Sequence, residues 1–228
     1  MFKHLINLFF PKVCAGCDAF LLTNENVICT SCRHNVPLTN HSFIAENEAF
    51  KKFYGKLPLV FVSTFVYFHK KGIVQQMIHN LKYKGCEGIG TAFGDWFCED
   101  IRLLVESNAV DEIIPVPLHP RRFRERGYNQ VSAFGTSLST NLQINYNDQL
   151  LIRTSYAKTQ TKKTFLGRTE VNKSSIFDVN FSESDHNKHF LLIDDVLTTG
   201  STLEACGRAL LKIPGAKISI VCIAMSNS

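Results

Sequence analysis

The sequence predicts an α/β fold, a mainly parallel sheet with helices on both faces, preceded by a small cysteine-rich module. Three observations carry that reading. Short unbroken apolar runs, such as Phe190, Leu191, Leu192 and Ile193, suit strands buried on both faces, where a half-exposed strand would alternate. Longer stretches between such runs repeat their apolar residues at helical spacing. Two CxxC pairs, Cys14/Cys17 and Cys29/Cys32, stand ahead of both. With 228 residues and 45% hydrophobic composition, the chain is long and apolar enough for one α/β domain with an appendage, and wholesale disorder is excluded. A formal net charge of +5 permits anionic ligands and nucleic acid, but it is well short of a histone-like balance.

The first ten residues are apolar through Leu5, Leu8, Phe9 and Phe10. A bilayer span needs about 20 residues, so no transmembrane segment is expected here. Asn7 interrupts the run and no small-residue cleavage site follows, which makes a poor signal peptide. A short helix packed on the next module is the better expectation, with peripheral contact at the inner face of a membrane as the alternative.

Eleven residues separate the two CxxC pairs. Each pair can aim two thiolates at one point, so Cys14, Cys17, Cys29 and Cys32 would complete a closed, tetrahedral, structural zinc site. So short a segment has little core of its own, and metal binding would supply its folding energy. Two disulfides or a redox CxxC are the alternatives, although a redox dithiol is expected once, at the start of a helix in a βαβ unit. Cys86, Cys98, Cys206 and Cys222 fall singly in apolar stretches, as buried reduced thiols do. This usage points to the cytoplasm. Residues 1–40 are therefore read as the zinc module. Residues 41–58 are read as a polar, irregular connection anchored by Phe43, Phe50 and Phe53, and residues 59–228 as the α/β body.

Residues 59–68 are β-branched and aromatic, a strand by composition. Ile73, Met77, Ile78 and Leu81 mark one helical face, ending near Lys82 and Gly85, and Ile89, Phe93, Trp96, Phe97, Ile101 and Leu104 mark a second. Ile113 and Ile114 form a brief strand, after which Pro115, Pro117 and Pro120 force an extended, rigid turn. Arg121, Arg122, Arg124 and Arg126 follow, and residues 127–130 open a helix with Val131, Phe134 and Leu138 on one face. A fixed turn backed by guanidinium groups is a seat for pyrophosphate, because Arg binds phosphate oxygens bidentately. The same arginines also suit a solvated helix entry or contact with nucleic acid. Residues 153–175 are a long polar excursion, of the kind that is either a functional loop or simply solvated. Residues 176–181, 190–193 and 217–224 supply closing strands.

The central stretch lies at residues 189–212. Asp194 and Asp195 sit where the apolar strand would emerge, followed by Val196 and Leu197 and then by Thr198, Thr199, Gly200, Ser201 and Thr202. Leu203, Leu210 and Leu211 then recur at helical spacing until Pro214 and Gly215. A Gly/Ser/Thr loop at a helix N-terminus offers backbone N–H groups, hydroxyls and the positive end of the helix dipole to a phosphate. Two carboxylates beside it would repel that phosphate, so they must face a polyol's vicinal hydroxyls or a magnesium ion. A ribose 5-phosphate needs both halves.

Residues 192–202 resemble the phosphoribosyl pyrophosphate (PRPP) motif of type I phosphoribosyltransferases at every defining position. Residues 115–130 resemble the signature of the ComF family, the ComFC/GntX group of phosphoribosyltransferase-like proteins, whose members carry a four-cysteine zinc module ahead of the transferase domain. The spacing of Arg153, Gln160, Arg168, Asn172 and Phe177 is similar to that family too. The resemblance implies a type I phosphoribosyltransferase-like fold and binding of PRPP with magnesium, alongside structural zinc. It casts Asp194 and Asp195 as catalytic and ribose-binding, residues 196–202 as the rest of the PRPP site, and Pro117, Leu118, His119, Arg121 and Arg168 as the pyrophosphate seat. The loop around Arg168, with Lys162 and Lys163, would fold over bound substrate and exclude water. The family also implies a role in natural competence, with single-stranded DNA or the DNA-uptake machinery as partners. Three functions follow: phosphoribosyl transfer to an unknown acceptor, a PRPP-responsive accessory role without transfer, and nucleic-acid binding with a relic PRPP loop. The sequence carries no base-reading motif that would name an acceptor.

Overall fold

The computed structural model describes residues 11–154 and 176–226. Its core is a five-stranded, wholly parallel sheet in the order β1-β7-β6-β2-β3. The strands are β1 (Leu59–Phe68), β2 (Glu112–Pro115), β3 (Asn145–Tyr146), β6 (His189–Leu197) and β7 (Lys217–Ser226). A separate antiparallel pair, β4 (Leu151–Arg153) with β5 (Phe177–Val179), lies beside it. Of residues 176–181, read as a closing strand, Phe177–Val179 form a strand of this pair and not of the main sheet. The main sheet's central strands are the apolar runs of the sequence, because crossover helices cover both faces.

Alternation along β6 shows how the two faces are filled. Leu191 and Ile193 join one core cluster, while Phe190 and Leu192 join the other. The first face is covered by α3 (Ile73–Tyr83), α4 (Gly88–Ser107) and α6 (Ser132–Leu142). The second is covered by α7 (Ser201–Leu210), the β4–β5 pair and residues 49–57. Both faces are mainly apolar, as buried parallel sheets require, with Ser63, Thr64, His189 and Ser219 among the buried polar exceptions.

Residues 41–58, expected to be irregular, are tied into the second face. The chain forms a 3₁₀ turn at His41–Phe43 and the short helix α2 (Glu48–Lys51), capped by the Asn47 carbonyl oxygen accepting from Phe50 N at 2.9 Å. Asn47 also donates to the Val62 carbonyl of β1 at 2.7 Å, and Phe53 is only 2% exposed. The open edge of β1 is covered as well. Thr39 N donates to Phe65 O at 3.0 Å and Tyr67 N to Pro37 O at 2.8 Å, an antiparallel addition that blunts an edge otherwise free to pair.

The connections place the site. From β2 the chain crosses over the first face, through α5 (Pro120–Arg126) and α6, to β3. From β6 it crosses over the second face, through α7, to β7. The two strands are neighbours and their crossovers diverge, so a crevice opens beyond their carboxyl ends.

Candidate functional site

The crevice between β2 and β6 is a cleft of about 430 Å³. One wall is the turn at Val116, Pro117, Leu118 and His119, with Arg122 behind it. The other holds Asp194, Asp195, Val196, Thr198 and Thr202, and Lys82, Gln130 and Arg153 complete the lining. β6 does not end before the acidic pair, as the sequence reading placed it. It continues through Leu197, held by β7 with Asp194 opposite Cys222 and Leu197 opposite Met225. β2 leaves the sheet at Pro115, opposite Ile193, which exposes the acidic pair's side of β6.

Asp194 opens onto the cleft, whereas Asp195 is 6% exposed. The Asp195 N–H donates to Asp194 Oδ1 at 2.8 Å. Burial, then the Asp195 charge beside it, push the Asp194 carboxyl up, against the pull of that N–H and of Lys82. Gly200 is left-handed at φ +80°, and a Cβ there would meet Phe53 Cε1 at 2.9 Å, so only glycine fits this turn. The N-cap Gly200 has no side chain to cap α7; Ser201 N reaches Thr199 Oγ1 at a long 3.4 Å, and the N–H groups of the next residues face outward from the helix start, where a ligand can take them. Among the loop residues, Thr198 and Thr202 line the cleft. Thr199 instead bonds to Ser201 Oγ at 3.3 Å, and Leu197 is buried beneath Gly200.

The proline turn is a rigid wall for local reasons. His119 is the N-cap of α5, its Nδ1 accepting from Arg121 N at 3.1 Å, with Pro120 at the first helical position. Gly127 closes that helix in the left-handed region. Asn129 donates to Val116 O at 3.1 Å, the Tyr128 hydroxyl donates to Leu81 O, and Arg126 donates to Gln130 Oε1 at 2.6 Å. The stretch 127–130 thus clamps the turn to the end of α3.

Of the predicted pyrophosphate residues, Pro117, Leu118 and His119 line the cleft. Arg121 does not. It is turned outward and pairs with Glu125 at 2.8 Å, while its neighbour Arg122 faces the cleft. Arg168, with Gln160, Lys162, Lys163 and Asn172, lies outside the described residues. Arg153 stands at the cleft with its guanidinium 5.1 Å from the Phe177 ring, and burial, with Arg122 nearby, lowers its pKa. Arg122, read in the sequence as one of the four arginines behind the turn, takes the place given to Arg121, and one cation that sequence reasoning left out altogether, Lys82, is present. Lys82 carried no signal, since α3 looked like an ordinary amphipathic helix ending.

The four cysteines of the N-terminal module converge, all four Sγ atoms lying within 4.8 Å of one another. None of the chain's eight cysteines is disulfide-bonded. Cys17 and Cys29 Sγ are 3.7 Å apart, close to the edge of about 3.8 Å that four sulfurs at ~2.3 Å from a zinc ion would span. Backbone N–H groups point at the sulfurs, Cys29 N to Cys14 Sγ at 3.3 Å and Gly16 N at 3.4 Å. Burial pushes the Cys14 thiol up, but these donors outweigh it and bring it down to about 7. Donor type, spacing and geometry are those of a structural zinc knuckle, against the disulfide and redox alternatives.

The Phosphoribosyl transferase domain family matches residues 135–228, the span that holds the acidic pair, the loop and α7. Competence protein ComFC of Bacillus subtilis is 27% identical over 203 residues, 88% of this chain and 78% of that one. Competence protein F of Haemophilus influenzae is 32% identical over 111 residues, 48% of each. The chain is similar to the competence proteins of the ComF family and, over residues 135–228, to phosphoribosyl transferase domains. The DNA utilization protein YhgH of Escherichia coli O157:H7, 28% identical over 150 residues, is a further relative, and the match spans 64% of this chain and 65% of that protein's length. The cleft is built from both parts of the chain: the matched segment supplies β6 and its loop, and the preceding residues supply the proline turn, Arg122 and Lys82. No helix among the described residues is long and apolar enough to cross a membrane.

Proposed function

We propose that the cleft binds PRPP with magnesium and that the protein serves DNA uptake, as the names of its competence relatives suggest. One observation carries the PRPP reading. A carboxylate pair at the end of the central strand is followed directly by a helix N-terminus whose N-cap is a glycine, and Arg122 and Arg153, which have no carboxylate partner among the described residues, face both across one cleft. A sugar diol, a 5-phosphate and a diphosphate need those three features in that arrangement.

Asp194 and Asp195 hold the ribose 2- and 3-hydroxyls, and their charge favours the positive character that develops at C1 when a nucleophile displaces pyrophosphate. The N–H groups and hydroxyls of residues 198–202 hold the 5-phosphate. The turn at 117–119, Arg122 in place of Arg121, Arg153 and, from outside the described residues, Arg168 hold the diphosphate. The carboxylate oxygens are the hard donors that magnesium takes, usually with its own waters. Magnesium, when bound, neutralises charge on the departing diphosphate. The cysteine module holds zinc as a structural ion.

Calorimetric titration with Mg–PRPP tests this reading. The wild type should bind, and Asp194→Asn, which removes one ribose acceptor, should lose binding by a factor of roughly ten or more. A folded, zinc-loaded wild type that binds nothing at millimolar ligand would sink the PRPP reading. It would turn the assignment to single-stranded nucleic acid, for which α5 offers four exposed or partly exposed arginines around Phe123, itself 51% exposed.

A further inference from the structure

The acidic pair already has an occupant. Lys82, in the last turn of α3, is 113 positions from Asp195 in sequence, yet its Nζ lies 3.0 Å from Oδ1 and 2.9 Å from Oδ2. The contact is largely shielded from water, with 8% of the Asp195 side chain and 22% of the Lys82 side chain exposed. The ammonium hydrogen-bonds Oδ1 and lies at ion-pair distance from Oδ2, which has no hydrogen-bond partner of its own among the described residues; the carboxylate is thus neutralised, while part of its acceptor capacity stays open to a ribose hydroxyl. The backbone around Lys82 is pinned: Asn80 Nδ2 donates to Ala15 O at 2.8 Å, and the Leu81 carbonyl accepts from Tyr128. What can move is the four-carbon stem of the side chain. Within the same cleft that stem has an alternative anionic destination once a diphosphate lies beside Arg122 and Arg153.

We propose that Lys82 is an exchangeable counter-ion of the acidic pair. It neutralises Asp195 while the cleft is free, yields that carboxylate to the ribose hydroxyls and divalent cation of a phosphoribosyl diphosphate, and then pairs with the diphosphate. The exchange rests on the PRPP reading of the cleft. It avoids leaving a shielded carboxylate unpaired at either stage, which is the costly state for such a group. It also keeps a bare divalent cation from occupying the two adjacent carboxylates. Nothing in the local sequence of α3 marks this role, because the contact exists only once the helix end is packed against β6.

The test uses the full-length zinc-loaded protein as wild type, Lys82→Met and Lys82→Arg, each with a melting curve to establish folding. Free Mn²⁺ is measured by electron paramagnetic resonance during titration without PRPP, and Mg–PRPP affinity is measured by calorimetry. Lys82→Met should bind Mn²⁺ roughly tenfold more tightly than wild type and Mg–PRPP roughly tenfold more weakly, the effect of one charge-assisted contact. Lys82→Arg, which keeps the charge, should stay near wild type in the Mn²⁺ titration. If Lys82→Met does not fold, Lys82→Gln serves both titrations. Unchanged Mn²⁺ affinity in a folded uncharged variant overturns the proposal, as does unchanged Mg–PRPP affinity alongside a wild type that binds PRPP. A wild type that binds no PRPP removes the PRPP reading, and the exchange with it.

Discussion

Asp194 is held where a carboxylate is hard to ionise. Burial and the neighbouring Asp195 charge raise its pKa from the usual 3.8 to about 7. The folded carboxyl therefore keeps its proton over a range in which the unfolded chain has lost it. Its contribution to stability is full at low pH and is lost as pH rises through about 7. Asp194→Asn should accordingly be more stable than wild type at pH 8, by on the order of 1 kcal/mol after discounting for the water that reaches the cleft, with the gap closing near pH 4. Denaturant titrations at both pH values measure it, and an equal gap at both would show that folding leaves the Asp194 pKa unshifted. The substitution that abolishes ligand binding should thus stabilise the free protein, a cost the site bears for function. At this scale the acidic pair and the Thr/Gly/Ser loop were legible, because neighbours in sequence are neighbours in the site. The choice between Arg121 and Arg122 was not. Consecutive helical residues point about 100° apart, and only the docking of α5 decides which one faces the cleft.

The element that organises the cleft is the run from β6 through Gly200 into α7. Its register is set by β7 on one side and β2 on the other, while its turn rests on Phe53 from residues 41–58. Gly200→Ala should cost roughly 2–3 kcal/mol, combining left-handed strain with a contact of 2.9 Å against Phe53, and should weaken Mg–PRPP binding by tilting the loop's N–H groups. Thermal unfolding reads the first effect and calorimetry the second; a substitution silent in both would mean the turn is not built around glycine. The strands β1, β6 and β7 were legible as apolar runs, and α3, α4 and α6 from their periodicity. Of the three aromatic anchors read in residues 41–58, Phe53 is buried and Phe50 packs against the same cluster, whereas Phe43 is exposed; what was hidden is where they dock, since Asn47 bonding to Val62 and Phe53 lying against Gly200 make no periodic pattern. Strand β5 was legible as a strand, but not the sheet it joins: three residues carry no information about which edge they will meet.

Across the whole molecule, the cysteine module and the cleft share α3. The first knuckle packs on it so closely that a Cβ at Gly16 would lie 2.5 Å from Met77 Cε, and Ala15 accepts from Asn80 two residues before Lys82. Removing the metal with a chelator should unfold the module, lower the melting temperature, and weaken Mg–PRPP binding as the support for Lys82 loosens. Unchanged affinity in the metal-free protein would show that the two sites are uncoupled. The sequence by itself determined the α/β class, the four-cysteine cluster and the acidic pair with the Thr/Gly/Ser loop after it. Each of these is written in adjacent residues or fixed spacings, which local chemistry can interpret. Tertiary structure alone decided that α3 lends Lys82 to Asp195, that Arg122 rather than Arg121 faces the cleft, and that residues 41–58 support Gly200. Those contacts join segments far apart in the chain, and their existence depends on how helices and loops pack, which no local pattern encodes.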